Sequence, residues 1–573
     1  MSKTDDDNRL NSLSRVAVSR RSFLKFMGLG ALYLTLPAPK IALSKEENER
    51  FSFGKVSPID RTIGAIAPKS FSGDEPDRTH RIFWDKAEFI ASGGGIPEPE
   101  EHVPLVIIGG GVSGLTSAYL LRHHRPIILE RASRFGGNAR GESWNGMDYS
   151  IGAAYLIEPE EDSDLDKFFK ELNIRELVRV KETHDPIVWN QKIYHHFWEG
   201  ETSPQRREQF VRLFSYFEDV LKNRNGRFFP DIPIIDAGRR GLIADLDRKT
   251  FKEHLEEVVG GEVDPHIQTA LEHFSWSSFG ASSTEISAAA GLNFYCGELG
   301  NVMVAPGGIS TIAERILKKL TDTLPHNHFR AESIVFDIRV VSDGVVIAYA
   351  DSSEKIRSIH AKAVILACPK FVVPTMIDNI EPDRLNAIQR LRYHSYLVAN
   401  VLLNKPLKDD FYDLFLIGDG SVDLSDPAGS SERQKVTDVV LGSFAKMDPD
   451  RSILTLYRGM PYLGARTEIY EDGAYERYRT DFEKQIFDSI LPLMNASPEN
   501  VMDLRLSRWG HPLPVAEAGL IANGTIDVIR KPFKRRVFFV EQDNWMLPAF
   551  ETAAGEAMIW APVVDQFLKR GGQ

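Results

Sequence analysis

Hydrophobic and polar positions change period several times along this chain, and each change marks a predicted element. After the polar run PEPEEH, Leu105 to Ile108 form an unbroken apolar block, the pattern of a parallel strand buried on both faces. Three glycines interrupt it, and a helix is predicted from near Val112. Ile127 to Leu129 form a second apolar block, which ends at Glu130. From Ser163 to about Leu320 the period is mainly helical, with the amphipathic stretches LDKFFKEL and REQFVRLFSYFEDVLK. Pro306-Gly307-Gly308 then precedes a further helix, ISTIAERILKKL, and the segments SIVFDIRVV, GVVIAYA and AVILACP read as strands. The tail RRVFFVEQDNWMLPAFETAAGEAMIWA reads as a strand, an acid, a loop and an Ala/Gly-rich helix. Residues 45–100 carry scattered charge, Pro and Gly, and read as an extended arm and linker.

The stretch from Val103 to Asn138 carries chemistry. Gly109, Gly111 and Gly114 supply GxGxxG between the first strand and its helix. The first glycine makes the tight turn, the second lets backbone approach a pyrophosphate, and the third lets helix pack on sheet. Val112 and Ser113 open the helix, whose N-terminal N–H groups and dipole favour phosphate. Glu130, about 20 residues on, is placed to accept hydrogen bonds from ribose hydroxyls. A second glycine pair, Gly136-Gly137, follows the acid in RASRFGGNAR.

In these residues the chain resembles the FAD-binding superfamily of amine oxidases, phytoene desaturases and protoporphyrinogen oxidases. The resemblance implies that Gly136-Gly137 lies against the FAD pyrophosphate. An NADP reading would use Arg131 on a 2′-phosphate, but it gives that glycine pair no task. The implied fold is α/β: a Rossmann-like FAD-binding domain with an inserted, largely helical plus β substrate domain. FAD-binding segments are then expected at 101–162, 306–379 and 498–573, and substrate-domain segments at 163–305 and 380–497. The family's pattern further implies FAD contacts at Arg131, Asn138, Ala153, Val335 (beside the adenine), Cys368, Phe550 and Glu551. It puts Glu541 on the ribityl chain, although Val540 stands where glycine is usual, and a one-residue shift would put Gln542 there. Asn544, Trp545 and Met546, with Phe550, are expected near the flavin, and the final helix is expected to aim its N-terminus at the flavin pyrimidine oxygen.

Length and composition narrow the picture. A chain of 573 residues, 42% hydrophobic and 26% charged, can bury a large core and predicts two domains. A net charge of -12, with no long basic block after the first 50 residues, argues against a nucleic-acid partner. Ser19-Arg20-Arg21-Ser22-Phe23-Leu24-Lys25 matches the twin-arginine export consensus, and Phe26 to Leu36 is too short to span a bilayer well. Ala42-Leu43-Ser44 offers small residues for cleavage before Lys45, so 1–44 reads as a signal segment. It predicts folded export through the twin-arginine machinery to the bacterial periplasm or another extracytoplasmic site. An uncleaved segment would be the only membrane link. Neither Cys296 nor Cys368 belongs to a metal or haem motif, and no cysteine in the C-terminal segment offers covalent flavin attachment. FAD is therefore expected to be non-covalent, and no metal is expected.

FAD chemistry leaves the protein to position a small-molecule substrate and tune the flavin. Trp545 is a candidate wall of an aromatic slot, or else a packed core aromatic. His394 is a candidate acid or base near the substrate, or else a satisfied core histidine. His195 and His196 read as surface or capping residues, and Glu285 as a helix cap. The strand Tyr396 to Asn404 lacks the lysine that amine oxidases often place near the flavin; Lys405 lies just past its end, and Ala549 takes an aromatic-cage position. These departures suit a dehydrogenase that passes electrons to an unknown acceptor, or a desaturase-like enzyme. With FGGNAR, YLVANVLLN, the export signal and the arm, the chain resembles bacterial spermidine-dehydrogenase-like flavoproteins more than mammalian amine oxidases. Hydride removal from an amine-like substrate, including polyamines, is the expected reaction. The alternatives are a desaturase of an apolar or tetrapyrrole-like substrate and a flavin-bound binding protein without turnover.

Overall fold

Val106, Ile107 and Ile108 hydrogen-bond on both edges, to Ile127–Leu129 on one side and Ile356–Leu366 on the other. That double pairing explains the unbroken apolar run, because neither face nor edge of the strand meets water. The computed structural model describes residues 53–182, 184–223, 228–234, 237–429 and 435–572. The twin-arginine segment lies outside the described residues. Among these, no helix is long and apolar enough to cross a membrane.

The central strand Glu101–Ile108 belongs to a seven-stranded sheet. Its order is Phe329–Arg330, Ile127–Leu129, Glu101–Ile108, Ile356–Leu366, Gly344–Ala350 and Ile334–Val341, with Val537–Phe539 also pairing on Ile356–Leu366. Pairings around the glycine turn are parallel, and the Gly344–Ala350 pairings are antiparallel. Helices Val112–Leu120, Ile309–Thr321 and Phe550–Lys569 share one core with this sheet through Leu115, Ile312, Ile365 and Ala557.

A second sheet of eight strands is built around Tyr393–Leu403, which is buried along its whole length. Ser452–Met460 and Val501–Pro514 flank it antiparallel. Asp413–Leu416 and Asp438–Leu441 continue the sheet beyond Ser452–Met460. One boundary differs from the sequence reading. Val501–Pro514 pairs into this second sheet, so the third nucleotide-binding segment starts after Pro514 rather than at 498. The block 163–305 also contributes strands Ile187–Trp189 and Lys192–Tyr194 to the same sheet, between helix Asp164–Leu172 and the helices from Arg207 onward. Runs of three residues are too short to show a period.

From residue 53 onward the arm joins both sheets' neighbourhoods. Ile59–Asp60 pairs with Gly141–Trp144, Ser72–Gly73 pairs with Val501–Pro514, and helix Asp77–Trp84 follows. His195 and His196 are exposed, as expected of surface residues.

Candidate active site: a dinucleotide cradle opening onto a tyrosine and carboxylate pocket

Gly109 turns the chain at φ 111°, and a Cβ there would lie 2.3 Å from the Ala367 carbonyl. Gly114 fits against the strand so closely that a Cβ would lie 1.9 Å from the Gly109 oxygen. Gly111 is different, because its nearest neighbour is Gly137 Cα at 3.7 Å. A Cβ on Gly111 would therefore meet no protein atom closely. It would fill the groove between the two glycine turns, which Gly111 and Gly136 hold together through a parallel bridge. That groove is the space a dinucleotide pyrophosphate needs, and the helix Val112–Leu120 begins at its edge without a side-chain cap.

One cavity brings the predicted cofactor residues together. Gly109, Gly111, Val112, Ser113, Glu130, Arg131, Gly136, Gly137, Asn138, Ala153, Val335, Cys368, Glu541, Phe550 and Glu551 all line it. Gly114 stands behind the wall in its packing role. Glu130 accepts from the Gly110 N–H at 2.6 Å and the Ala132 N–H at 2.8 Å, so the strand end itself aims the carboxylate. Burial pushes the Cys368 thiol up to about 12, which keeps it protonated. Helix Phe550–Lys569 also starts at the cavity without a side-chain cap on Ala549. Glu551, in its first turn, accepts from the Ile157 N–H at 2.6 Å, and burial pushes its carboxyl up to about 7.

Glu541 lines the cavity, and protein groups hold it there. Its carboxylate takes the buried Lys370 ammonium and, at 2.7 Å, the Asp543 N–H. Burial pushes the Glu541 carboxyl up to about 8 despite Lys370. Lys370 also donates to Asn544 at 2.6 Å, and Tyr393 donates to Asp543 at 2.5 Å. Gln542 lines the cavity as well, its amide donating to the Pro512 carbonyl at 2.9 Å.

Neither catalytic candidate lines the cavity. Trp545 does not line the cavity; it is fully buried, with its indole N–H on Glu556 at 2.5 Å and Arg530 over its ring. Met546, at φ 57°, turns the chain there, and Asn544 and Met546 are likewise absent from the wall, which Pro548 and Ala549 reach instead. His394 is a core histidine: Nδ1 is bonded to the Met460 carbonyl at 2.7 Å, and its ring packs against Trp276 and Tyr462. Burial lowers its pKa to about 4, so it stays neutral at physiological pH. Lys405 donates to the Asn495 carbonyl and lies outside the cavity wall.

Sequence reading missed the far end of the cavity. Tyr155, Tyr396 and Tyr457 line it with Phe294, Ser277 and Asp438. The Tyr396 and Tyr457 rings lie 5.8 Å apart at 64°, their hydroxyls donating to the carbonyls of Ser277 (2.5 Å) and Gly152 (2.7 Å). Burial raises Asp438 to about 7, and it interacts with the fully buried Asp413, which is raised too, first by burial and then by Asp438. The available signal was an acid leading an apolar strand, in DLFL and again in DVVL. Away from the cavity, His123, His124 and Asp565 bring three potential metal donors within 4.8 Å, both imidazoles sharing one Asp565 oxygen.

Residues 112–487 match the family model described as flavin containing amine oxidoreductase. The chain belongs to that family. It is 22% identical over 512 residues to oxidoreductase PigB of Serratia sp., covering 79% of this chain and 73% of PigB. Its fold is similar to that of putrescine oxidase bound to putrescine, with a TM-score of 0.58 and 16% identity over 81% of this chain and 99% of that one. It is similar also to a fatty acid isomerase from P. acnes, with a TM-score of 0.57 and 15% identity over 81% of this chain and 98% of that one. The protein is thus an FAD-dependent oxidoreductase of the two-domain α/β fold that these structures share. The glycine cradle and the Glu130 carboxylate are the residues that would hold the FAD.

Proposed function

We propose that this oxidoreductase removes hydride from the carbon next to nitrogen in an amine, with the substrate cation recognised by Asp438 and the Tyr396–Tyr457 pair. The observation that carries this reading is a buried carboxylate, Asp438, on a cavity wall that also presents the rings of Tyr155, Tyr396 and Tyr457. Aromatic faces and a carboxylate together attract an ammonium ion, and both interactions strengthen where water is excluded. When bound, FAD would supply the two-electron acceptor for that hydride. The chain's own groups orient the amine and manage its proton. An ammonium ion must lose a proton before its carbon can give up hydride, and Asp438, raised to about 7, is matched to accept it. The product is an iminium ion, which water converts to a carbonyl compound and a free amine or ammonia. Putrescine in the similar fold supports extending the substrate class to diamines and polyamines.

The Ser19–Lys25 consensus supports a further proposal, export of the folded, FAD-loaded protein to the bacterial periplasm by the twin-arginine machinery. Having no lysine on Tyr393–Leu403 supports electron transfer to an acceptor other than oxygen. Ile157, Phe294 and Val398 on the same wall favour a second reading, a desaturase of an apolar substrate.

The amine reading is tested through Asp438. Asp438→Asn is expected to raise the amine KM about 10- to 100-fold, the loss of one charge-assisted contact, with a smaller change in flavin content. In the native enzyme Asp438 is neutral below its raised pKa and charged above it, while the amine stays cationic. Amine kcat/KM should therefore rise through about pH 7 and lose that limb in Asp438→Asn. An unchanged KM and pH profile would favour the apolar substrate.

A further inference from the structure

The arm contributes to the cofactor cavity in a way that neither glycine turn explains. Asp74, Thr79, His80 and Phe83 line it alongside Arg131 and Val335. The family match begins only at residue 112, so these arm residues lie outside it.

Each side of the arm is tied to a different body of the protein. Toward the nucleotide-binding sheet, Asp74 pairs with Arg131 at 2.7 Å and Glu75 pairs with Arg140 at 2.8 Å. Glu75 also accepts from Ser133 N–H and Oγ, both at 3.1 Å. Arg78 donates to the Glu332 carbonyl at 2.9 Å. Toward the second sheet, Asp74 accepts from the Gly510 N–H at 2.9 Å and the Tyr470 hydroxyl at 3.0 Å. Ser72–Gly73 pairs with Ser507 and Arg508, and Gly73 (φ 94°) leaves only 2.5 Å between a would-be Cβ and the Arg508 carbonyl. Burial alone would raise the Asp74 carboxyl, yet Arg131 and the Gly510 N–H bring it down to about 2, so it is ionised.

We propose that Ser72–Trp84 is a cofactor clasp, closing over the adenosine half of bound FAD and slowing its loss. Asp74 and Glu75 are its latch: Asp74 bridges the two sides of the cavity, and Glu75 ties the same turn to Arg140 and Ser133, on the side where Val335 lines it. Thr79 and Phe83 are the clasp's inner face, and a dinucleotide can leave on that side only when the latch opens. Asp74 also occupies Arg131, the side chain that would otherwise be free to pair with a ribose 2′-phosphate.

Two variants test this in the full-length holoprotein, read by the growth of free-flavin fluorescence after dilution. Asp74→Asn/Glu75→Gln keeps shape and removes both latch charges; FAD loss is expected to be about tenfold faster, as two partly exposed ion pairs together predict. Ser72→Cys/Ser507→Cys replaces hydroxyls that lie 2.9 Å apart, and its oxidised form should lose FAD more slowly than its reduced form. The thermal midpoint of each apoprotein is measured alongside. A faster rate in the first and a slower rate in the oxidised second support the clasp. A rate unchanged in either overturns it, whatever the midpoint does.

Discussion

Gly111→Val is expected to give a folded protein without flavin. The valine side chain would meet no protein atom closer than 3.7 Å at its Cβ, so the fold has room for it. The room it takes is the groove between the two glycine turns, and backbone can no longer approach the pyrophosphate. Flavin per protein should fall below detection, while the thermal midpoint of the apoprotein stays near that of native apoprotein. Gly114→Ala makes the contrast, because its Cβ would lie 1.9 Å from the Gly109 oxygen and must push helix Val112–Leu120 off the sheet. That variant should lose stability first and flavin as a consequence. Full FAD occupancy in Gly111→Val would remove the basis for the cradle.

Glu556→Leu carries the largest expected cost in stability. Glu556 has no exposed surface and accepts from Asn544 at 2.6 Å, Trp545 at 2.5 Å, Trp560 at 3.0 Å and Arg530 at 2.6 Å. Leucine satisfies none of those donors and leaves the Arg530 charge without its partner. Removing one member of a buried pair costs about 3–5 kcal/mol, and denaturant unfolding of the holoprotein should show a loss of that order. Glu556→Gln retains two or three of the contacts and should lose about half as much. The effect reaches the cofactor, since Asn544 links Glu556 to Lys370 and Lys370 holds Glu541 on the cavity wall. A loss under 1 kcal/mol for the leucine variant would show that the hub's hydrogen bonds are dispensable.

The nucleotide cradle was legible because its parts are local. Gly109 through Asn138 lie within one strand-helix-strand unit, so spacing alone placed them around one groove. The tail was legible as an order of elements but not in its side-chain directions. The 3-10 turn Gln542–Asn544 and the positive φ at Met546 rotate Trp545 into the core, which no run of residue types announces. Glu541 was legible as a residue of the cavity wall, but its partner was not, because Lys370 comes from the turn after Ile356–Leu366, far away in sequence. The tyrosine and carboxylate end escaped altogether. Tyr155, Tyr396, Asp438 and Tyr457 come from four strands, and only strand pairing puts Asp438 beside Tyr457 and both beside Tyr396. His394 shows the converse: a histidine in an apolar strand is held in the core by one backbone carbonyl, Met460, on Nδ1 and by ring packing against Trp276 and Tyr462.

The most direct measurement is anaerobic. The flavin-loaded protein is mixed with polyamines, monoamines and amino acids in turn, and the visible absorbance of oxidised flavin is followed. The account predicts bleaching by one class of cationic amine, slowed or abolished in Asp438→Asn, with slow reoxidation when oxygen is admitted. A flavin that stays oxidised with every amine, yet bleaches with an apolar or tetrapyrrole-like compound, would contradict it.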